Sequence, residues 1–484
     1  MNNAGHNIQL KKEILIRLIK AYLSDDFEEN TRLIPFDMRP KGMEVPYRCC
    51  IYKERAILKD RTIAGLGFNI EEDDETVSLK TYAKRASERT KIDETPLTVL
   101  QAACKGCATN RIYVTDLCQG CVARPCTTSC KFGAIKIKNS KAKINDEKCK
   151  KCQMCVKACP YNAIVKISVP CEDACPVGAI KKDETGFANI DFSKCISCGK
   201  CLSACPFGAV HEKSQIIDIL KAMKNKKKVI ALIAPAVAGQ FPCDIYQLKG
   251  AILKAGFSDV VEVAKGADIT AKNEAKEFLE RMENKENFMT TSCCAGYNQF
   301  IKKHLPEIKP FVSNTKTPLF YTAQIVKQQD KDAVTVFVSP CVAKRAEGFE
   351  DENVDYVMNV EELGALFVAK QIEIQSCDKV PYDTESSKQG RNFATATGVS
   401  KAVKAALKDE EMVKPCYING LNKDAIRQLK NWAKAAKLDN DCNLVEVMCC
   451  EGGCIGGNAV INSQKISKKM IDELISQSKD IEKI

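Results

Sequence analysis

Long apolar runs are missing from this sequence of 484 residues, and so are several common motifs. The longest apolar run, Val229 to Gly239, is far shorter than the roughly 20 residues that cross a bilayer, so we expect no membrane contact. The N-terminus lacks an apolar signal core followed by a cleavage site, and there is no G-x-x-x-x-G-K-[ST] phosphate loop. Secretion and nucleotide binding are therefore without support.

Histidine and tryptophan are also scarce, with 3 and 1 residues, whereas cysteine is abundant with 28. With 45% hydrophobic residues the chain is long enough for two to four globular domains, which excludes a disordered, collagenous or small disulfide-stapled protein. We expect a cytoplasmic protein, in which thiols stay reduced, and this density of cysteine then indicates metal ligation or catalysis. The formal net charge of +11 counts every thiol as neutral, so thiolate-bound clusters would lower it, and no nucleic-acid partner is indicated.

Sixteen of the cysteines form a block between Cys104 and Cys205. Three closely spaced cysteines on a tight loop reach three corners of a cubane, while a fourth, followed by proline, serves the neighbouring cluster. Sixteen thiols supply four 4Fe-4S clusters, whereas structural zinc favours paired C-x-x-C knuckles and is the weaker interpretation. The predicted ligands are Cys104, Cys107, Cys118, Cys121, Cys126, Cys130, Cys149, Cys152, Cys155, Cys159, Cys171, Cys175, Cys195, Cys198, Cys201 and Cys205.

The block is repetitive, but the division of its cysteines among clusters stays open. Phe132-Gly-Ala-Ile, Tyr161-Asn-Ala-Ile, Val177-Gly-Ala-Ile and Phe207-Gly-Ala-Val each follow the last cysteine of a unit. The preferred sets are Cys118, Cys121, Cys126 with Cys159; Cys149, Cys152, Cys155 with Cys130; Cys195, Cys198, Cys201 with Cys175; and the remaining four together. A rival assignment pairs the Cys149 and Cys195 motifs directly.

Four segments are predicted along the chain. Residues 1–100 are partly helical and of unknown role, with an amphipathic helix from about Gln9 to Leu23 and two ordinary buried thiols at Cys49-Cys50. Residues 101–212 form α+β ferredoxin-like iron–sulfur domains, 228–465 form an α/β domain, and 466–484 form a helical tail.

The third segment alternates short β-branched runs with helical stretches, which is typical of an α/β fold. Strands are predicted at Val229–Ala234, Asp259–Val263, Val334–Ser339 and Leu444–Met448, and helices near 245–255, 270–283, 399–408 and 424–437. The run from Val229 aligns without gaps to the run from Val334, and each is followed by a second strand-like run. This internal repeat predicts two similar parallel-sheet lobes that face a shared cleft.

The remaining cysteines of interest follow predicted strands. Cys293-Cys294 follows Phe288-Met-Thr-Thr, Cys341 follows the strand that ends at Ser339-Pro340, and Cys449, Cys450 and Cys454 follow Met448. Because α/β sheets build their sites at the carboxyl ends of strands, these thiols are expected to converge there and to supply four cubane ligands with some to spare.

These residues also carry a resemblance to a known family. Thr291-Ser-Cys-Cys, Ser339-Pro-Cys-Val-Ala-Lys-Arg-Ala-Glu347 and Glu446-Val-Met-Cys-Cys-Glu-Gly-Gly-Cys454-Ile-Gly-Gly resemble the three signature loops of the iron-only (FeFe) hydrogenases, in family order. The resemblance covers roughly residues 228–465. It implies a two-lobed α/β hydrogenase catalytic domain, with ferredoxin-like domains upstream.

The resemblance also implies roles for individual residues. Cys294, Cys341, Cys450 and Cys454 would hold the 4Fe-4S part of the H-cluster, and Cys454 would bridge to a diiron subsite that carries CO, cyanide and azadithiolate. Lys344 would hydrogen-bond a cyanide, with Glu347 in the polar shell behind it. Met448 would pack near the diiron unit, and Ala234, Pro235 and Ala236 would line its cavity.

A proton route follows from the same resemblance. Cys293 matches the thiol that passes protons to the cofactor, although a small buried hydrophobe is the simpler interpretation of such a residue. Glu274 and Glu277 lie three residues apart on one helix face and, with Ser313, resemble the family's path to the surface. The competing interpretation of such a glutamate pair is solvated surface.

Some positions depart from the family pattern. Ala295 stands where proline is common, Ser339 where methionine is usual, and Leu319 where glutamine is common. Ala236 and the Gly456-Gly457-Asn458 end of the third loop also differ. These departures suggest a divergent branch and leave the proposed ligands in place.

The leading functional hypothesis is a ferredoxin-type FeFe hydrogenase that interconverts H2 with protons and electrons. Four 4Fe-4S clusters would relay the electrons to ferredoxin or a similar carrier, which a lysine-rich surface could attract if it is acidic. A hydrogen sensor with the same cofactor is the second hypothesis, and it is disfavoured because no sensory or kinase-like extension follows the third loop. The third is an iron–sulfur assembly or electron-transfer protein without the diiron subsite.

Overall fold

The computed structural model describes residues 3–42, 48–92, 94–104, 107 and 110–482. The N-terminal segment is helical, and its first helix begins at Asn3, earlier than the predicted start near Gln9, and carries an apolar stripe. That stripe buries Ile14, Leu15, Leu18 and Ile19. The helices are α1 (Asn3–Leu23), α2 (Phe27–Met38), α3 (Ile51–Gly65) and α4 (Leu79–Glu88).

The cysteine-rich segment consists of short antiparallel strand pairs and single-turn helices, as expected for α+β ferredoxin-like units. The strands pair as β2 with β5, β3 with β4, and β6 with β7, while β1 pairs with β8 and closes the segment. The elements are β1 (Leu97–Val99), α5 (Gln101–Cys104), β2 (Arg111–Val114), α6 (Pro125–Thr128), β3 (Ile135–Lys138), β4 (Lys141–Ile144), α7 (Met154–Ala158), β5 (Ile164–Ile167), α8 (Pro170–Ala174), β6 (Ile180–Lys182), β7 (Ala188–Ile190), α9 (Lys200–Ala204) and β8 (Val210–Glu212).

The C-terminal half alternates strands and helices, as the sequence predicts. Asp244 and Asn359 begin two of these helices with capping boxes, in which the side chain and the third helical residue satisfy each other's free backbone amides. The elements are α10 (Ile216–Lys224), β9 (Val229–Ile233), α11 (Ile245–Lys254), β10 (Asp259–Glu262), α12 (Ala264–Glu283), β11 (Met289–Thr290), α13 (Ala295–His304), α14 (Pro318–Gln329), β12 (Val334–Ser339), α15 (Ala343–Glu350), β13 (Tyr356–Asn359), α16 (Val360–Ala369), α17 (Lys388–Asn392), α18 (Gly398–Ala406), β14 (Pro415–Asn419), α19 (Lys423–Ala435), β15 (Leu444–Met448) and α20 (Gln464–Ser476).

Two parallel sheets form this half. One has the order β10-β9-β12-β13 and the other β11-β15-β14. Strands β9, β12 and β15 are buried at every position, which explains their continuous runs of apolar and β-branched residues. The carboxyl ends of β9, β11, β12 and β15 lead into the loops that carry the predicted site residues.

The internal repeat lies within one sheet and does not define two facing lobes. Strands β9 and β12 are neighbours, and Val229 pairs with Val334 in the same register that aligns their sequences. Each strand has its following partner, β10 or β13, on its outer side. The second sheet, β11-β15-β14, is built from sequences outside the repeat. The two similar runs are therefore the central strands of one sheet, because both must be fully apolar there.

The predicted segments share one core. A continuous apolar cluster joins Leu18 of α1, Val99 of β1, Cys171 and Cys201 of the cysteine block, and Val336 of β12. Residues 111–167 are different, because a small separate core lies there, with Ile112, Ile135 and Ile164 packed against cysteines. Among the described residues, none of the helices combines the length and apolar composition of a bilayer span.

Candidate metal centres and active-site cavity

The three predicted signature loops converge at the carboxyl ends of the two parallel sheets. Cys294 is the residue before α13, Cys341 lies between β12 and α15, and Cys450 and Cys454 follow β15. The backbone amide of Cys449 donates to Sγ of Cys294 at 3.4 Å, which ties the first loop to the third. Cys341 N donates to Oγ of Ser339 at 3.3 Å, so the serine at this divergent position orders the second loop.

The four thiols act on one another electrostatically. The pKa values of Cys341 and Cys454 are raised to about 12, mainly by burial. Negative charge on Cys294 contributes to the shift of Cys341, and charges on Cys341 and Cys294 contribute to that of Cys454. Burial also raises the pKa of Cys450, to which charges on Cys341, Cys294 and Cys454 add. Four thiols that would share negative charge at one buried place are a donor set suited to iron, because soft thiolates hold iron–sulfur clusters and the metal supplies the compensating charge. The residues present thus fit a cubane.

The third loop depends on glycine. Gly452 and Gly453 have φ of 81° and 85°, in the left-handed region that side chains disfavour. A Cβ at Gly453 would lie 2.6 Å from the backbone nitrogen of Ala396, so this loop passes closely over the chain after α17. The amide of Ile455 donates to the carbonyl of Ala394 at 3.1 Å and completes the contact.

A largely apolar cavity of about 80 Å³ lies beside the converging thiols. The predicted residues Ala234, Pro235, Ala236 and Met448 line it, as does Leu319 at a divergent position. Phe393 and Ala394 also line it, and no motif in the sequence marked them. A cavity with such walls excludes water and strengthens the few polar interactions that reach it.

Lys344 is the cationic side chain of the cavity. Its Nζ donates to both oxygens of Glu347, at 2.6 and 2.7 Å, and Thr317 Oγ1 donates to Glu347 Oε1 at 2.6 Å. Burial lowers the pKa of Lys344, but Glu347 and the neighbouring thiols outweigh burial and raise it overall. The ammonium group is thus held charged at the cavity wall, with Glu347 behind it as the sequence predicts.

Cys293 lies on the other side of the cavity, next to a buried carboxyl group. Burial and the charge of Glu274 raise the pKa of its thiol well above the ordinary value. Glu274 is fully buried, and burial raises its pKa to about 7. Its Oε1 accepts from N and Oγ of Ser292, at 3.0 and 3.2 Å, whereas its Oε2 has no hydrogen-bond partner among the described residues. This carboxyl group is on helix α12 but is not solvated surface.

Ser313 and Glu277 continue from Glu274 towards the surface. The Ser313 hydroxyl donates to Glu277 Oε2 at 2.7 Å, and its proximity lowers the pKa of Glu274. Burial raises the pKa of Glu277, but the amide of Asn314, Ser313 and Arg281 lower it overall. Arg281 donates to Glu277 Oε1 at 2.8 and 3.0 Å. The structure therefore brings together all four residues of the predicted proton route.

Several of the sixteen upstream cysteines lie near one another, and their division among clusters stays a prediction. Cys171 has its pKa raised to about 12 by burial and then by Cys205, Cys104 and Cys107. Burial raises the pKa of Cys201, and charges on Cys198, Cys195 and Cys175 raise it further. Burial and charges on Cys149 and Cys130 likewise raise the pKa of Cys155. Cys118, Cys126 and Cys159 lie with the Cys155 group in the small core of residues 111–167. The Cys149 and Cys195 motifs lie in different cores, which disfavours their direct pairing.

The repeated motif after each unit has a local function. The amides of Ala134, Ala163, Ala179 and Ala209 each donate to Sγ of the cysteine four residues earlier, at 3.2 to 3.4 Å. The residue before each alanine, Gly133, Asn162, Gly178 or Gly208, has a positive φ that directs this amide back to sulfur.

Among the described residues, no group of three or more His, Cys, Asp or Glu side chains is arranged for a single metal ion.

The last cysteine motif docks directly onto the candidate active site. Cys198 and Cys449 form a thiol–thiol hydrogen bond, which lowers the pKa of Cys198 to about 7 and raises that of Cys449. Asn458 Nδ2 donates to the carbonyl of Cys198 at 2.9 Å, and a Cβ at Gly199 would lie 2.8 Å from Val342. The sequence did not predict this contact of Cys449, although its place beside the proposed ligand Cys450 could have indicated a role.

Cys49, expected to be buried, is exposed, with its Sγ 3.8 Å from that of Cys50.

Comparisons with known proteins agree with this geometry. Residues 227–458 match the family described as iron only hydrogenase large subunit, C-terminal domain. Residues 142–165 match a 4Fe-4S binding domain, and 165–216 match the LdpA Fe-S cluster-binding domain. The hydrogenase family match, 227–458, has nearly the same bounds as the α/β segment predicted from the sequence, 228–465.

Individual relatives are distant. Iron hydrogenase 1 of Clostridium pasteurianum is 26% identical over 313 residues, which cover 53% of this chain and 54% of the relative. The periplasmic [Fe] hydrogenase large subunit of Nitratidesulfovibrio vulgaris is 26% identical over 308 residues, 51% of this chain and 72% of the relative. The cytosolic Fe-S cluster assembly factor NAR1 of Kluyveromyces lactis is 26% identical over 120 residues, 24% of this chain and 26% of the relative.

A solved structure of the [FeFe]-hydrogenase HydA1 from Chlamydomonas reinhardtii matches 53% of this chain and 88% of its own, with 21% identity and a TM-score of 0.45. The chain spans about half the length of the clostridial relative. The family match covers the loops that supply the converging thiols, and the upstream matches cover the cysteines from Cys149 to Cys205. Residues 227–458 therefore carry the C-terminal domain of the iron-only hydrogenase large subunit, and an iron–sulfur region precedes this domain.

Proposed function

We propose that this protein is an FeFe hydrogenase that catalyses the reversible conversion of H2 into protons and electrons. The observation that carries the proposal is the convergence of four thiols from three distant loops. Three of them, Cys294, Cys341 and Cys454, line a cavity that Cys293, Lys344 and Met448 also line. A cubane alone needs neither a buried ammonium group nor an additional thiol beside an apolar cavity. Both are what a larger cofactor that exchanges protons would require.

Cys294, Cys341, Cys450 and Cys454 would hold the H-cluster, a 4Fe-4S cluster joined to a diiron subsite with CO, cyanide and azadithiolate. When bound, this cofactor supplies the redox chemistry of H2 and takes up or releases the protons. Lys344, held charged by Glu347, would donate a hydrogen bond to an anionic cyanide ligand. Met448, Ala234, Pro235 and Ala236 would exclude water and fix the position of the diiron unit.

Protons would travel along Cys293, Glu274, Ser313 and Glu277. Cys293 is electrostatically coupled to Glu274, whose free Oε2 and pKa of about 7 suit a group that both accepts and releases a proton near neutral pH. The Ser313 hydroxyl connects Glu274 to Glu277. Arg281 orients Glu277 near the surface and keeps it charged between transfers.

Electrons would pass through four further 4Fe-4S clusters held by the sixteen upstream cysteines. The contact between Cys198 and Cys449 supports the Cys195 motif as the cluster next to the active site. Residues 111–167 would hold the outermost clusters, because their small core is separate from that of the rest of the chain. We also propose a cytoplasmic location, since reduced thiols are needed for every one of these clusters.

The electron carrier is proposed to be an acidic ferredoxin that docks on residues 111–167. This stretch contains twelve lysines and arginines and three acidic residues, so it accounts for +9 of the chain's formal net charge of +11. Exposed apolar side chains lie among these charges at Leu117, Val122, Phe132 and Tyr161. Opposite charge steers the encounter, and apolar contacts stabilise the complex.

The function is tested by infrared spectroscopy of protein matured with the diiron cofactor, together with a methyl viologen assay of H2 oxidation and evolution. We expect CO and cyanide stretching bands and turnover in the same sample. Bands with negligible turnover would favour a hydrogen sensor.

An assembly role without the diiron subsite is the remaining alternative. The match to an Fe-S cluster assembly factor over 120 residues favours it, whereas the ion pair of Lys344 with Glu347 and the apolar cavity count against it. A protein with a full complement of cubanes but no CO or cyanide bands after maturation would establish that alternative.

A further inference from the structure

A second cavity, of about 320 Å³, lies between the N-terminal helices and the loop that follows Cys205. Helices α1 and α3 and the residues Pro206 and Phe207 line it, in a part of the chain to which no role has been given. Three arginines, Arg39, Arg48 and Arg61, surround a single carboxylate, Glu54. We call this cavity the arginine pocket.

The carboxylate of the arginine pocket is already used. Arg39 pairs with Glu54, and both side chains are buried. The backbone amide of Arg48 donates to the other oxygen of Glu54 at 3.0 Å. Within the described part of the chain, neither Arg48 nor Arg61 forms an ion pair with an acidic side chain. Their two positive charges are therefore not balanced by a carboxylate of the pocket.

Arg61 is the most unusual of the three. Its side chain is 2% exposed, and one terminal nitrogen donates to the carbonyl of Gly208 at 3.0 Å. Its Nε, also buried, has no hydrogen-bond partner in the described structure. Burial and the nearby Arg48 lower the pKa of Arg61 to about 10. A buried guanidinium with a free N–H is destabilising unless an anion or another acceptor is present.

The groups that contact Arg48 and Arg61 are mainly uncharged carbonyls. Cys205 and Asp60 raise the pKa of Arg61, but burial and Arg48 outweigh them. Arg48 contacts the same loop only through the carbonyl of Phe207, at 3.1 Å. A carbonyl accepts a hydrogen bond but carries no net charge, so these contacts leave the positive charges in the arginine pocket unneutralised.

We propose that the arginine pocket binds a multivalent oxyanion, such as a phosphate or polycarboxylate group of a small metabolite. Guanidinium groups recognise such oxyanions through paired N–H donors, and both Arg48 and Arg61 line this one cavity. The cavity volume lies at the lower end of the range for small-molecule pockets. This site is separate from the hydrogenase cavity and does not depend on the proposed reaction.

The test is isothermal titration of the full chain, loaded with its iron–sulfur clusters, with pyrophosphate and with citrate at constant ionic strength. We expect saturable binding of one ion per chain and a matching rise in unfolding temperature for at least one of the two probes. Binding of pyrophosphate alone identifies the phosphate class, and binding of citrate alone the polycarboxylate class. No saturable binding of either probe at millimolar concentration would overturn the proposal.

Variants separate the arginine pocket from general charge. Arg48→Gln should weaken binding by about tenfold or more, since a charge-assisted contact is lost. Arg61→Lys keeps the buried charge but not the forked donors, and should also weaken binding while the protein still folds. Arg17→Gln, on the exposed side of α1, removes one positive charge elsewhere and should leave affinity unchanged. Equal affinity in all three variants would show that the pocket is not the binding site.

Discussion

Glu274 is a carboxyl group in an environment very different from water. It lies on a helix face that a sequence would assign to solvent, yet it is fully buried beside Ser292 and keeps one oxygen free. Its pKa of about 7 contrasts with that of Glu277, three residues later, which is lowered. Two carboxyl groups on one helix face thus have opposite protonation preferences near neutral pH, which suits transfer of a proton between them.

The raised pKa of Glu274 predicts a pH-dependent stability. The folded protein binds a proton between pH 4.5 and 7 that the unfolded chain releases, so the carboxyl group costs stability as pH rises through this window. Glu274→Gln should therefore gain stability relative to the wild type, on the order of 2 to 3 kcal/mol above pH 7 and little below pH 4.5. Thermal unfolding from pH 4 to 8 measures the difference.

Glu277→Gln is the matched comparison, and its effect on stability at neutral pH should have the opposite sign. The folded pKa of Glu277 is lowered, so its charge stabilises the protein at neutral pH and this contribution is lost as pH falls through that pKa. A difference between wild type and Glu274→Gln that does not change with pH would mean that Glu274 is not a titrating buried carboxyl group.

Cys293 gives the second prediction at this scale. Cys293→Ala leaves the four proposed ligands in place and removes a thiol next to Glu274. We expect the CO and cyanide bands to persist while H2 turnover falls by about a hundredfold or more, as for loss of a general acid or base. Cys416→Ala, on strand β14, removes a thiol elsewhere and should keep full turnover. Wild-type turnover in Cys293→Ala would exclude this thiol from the proton route.

The convergence of the cysteines was predictable because their spacing and their place after strands are visible in the sequence. Phe393 and Ala394 were not, since they reach the cavity only through the packing of the chain after α17 under Gly453. The contact of Cys198 with Cys449 was also invisible, because it joins two segments that are 250 residues apart.

At the scale of elements, strands were easier to predict than helix starts. Strands β12 and β15 have the bounds that their sequences indicate, because each is a continuous buried run. Helix α12 begins at Ala264, six residues before the predicted start. Glycine has a low helix propensity, so Gly266 disfavours a helix in the sequence. In the structure, however, a Cβ at this position would lie 2.2 Å from the carbonyl of Pro318. Close packing against α14 therefore requires glycine at this position.

The paired glycines of the third loop give a prediction at this scale. Gly453→Ala would combine a left-handed backbone with a clash against Ala396, so the loop must shift. We expect a loss of about 2 kcal/mol or more in unfolding free energy and poor loading of the H-cluster. Chemical denaturation and infrared band intensity measure the two effects.

Gly364→Ala in helix α16 is the matched control. A Cβ there would meet only Phe241, at an ordinary 3.6 Å, and alanine favours the helix. Its stability should be unchanged or higher by up to about 1 kcal/mol. Equal behaviour of the two variants would contradict the role assigned to the third loop.

At the scale of the whole molecule, charge and cores are distributed unequally. Residues 111–167 carry most of the net positive charge on a small core of their own, whereas the other segments share one large core. The sequence indicates the charge directly. It does not indicate the shared core, because the apolar stripe of α1 has no sequence feature that identifies its partner.

Electron exchange should therefore depend on the surface of residues 111–167. Replacing both Lys131 and Lys151 by glutamate should slow ferredoxin-dependent H2 evolution by about tenfold at low salt and leave the methyl viologen assay unchanged. Replacing the exposed Lys434 and Lys437 by glutamate makes the same change in charge far from this surface and should have little effect. A rate that is insensitive to both salt and the first pair would exclude electrostatic docking here.

Loss of the iron–sulfur clusters should destabilise residues 111–167 more than residues 228–465. The core of residues 111–167 consists of a few aliphatic side chains and the cysteines themselves, so its stability depends on metal. After removal of iron under reducing conditions, we expect rapid proteolysis within residues 111–167 and slower cleavage of residues 228–465. Limited proteolysis with mass spectrometry measures both rates, and equal resistance would show that the first part folds without clusters.

The bridge formed by α1 limits how the chain can be shortened. Lys11 pairs with Glu212 of β8 at 3.1 Å and with Glu361 of α16 at 2.6 Å, and both carboxylates are buried. Deleting the first helix would leave two acidic groups without their shared cation and would expose the apolar side of α16 to solvent. A chain that lacks only α1 is therefore expected to aggregate, and shortened versions of the protein should retain the N-terminal helix.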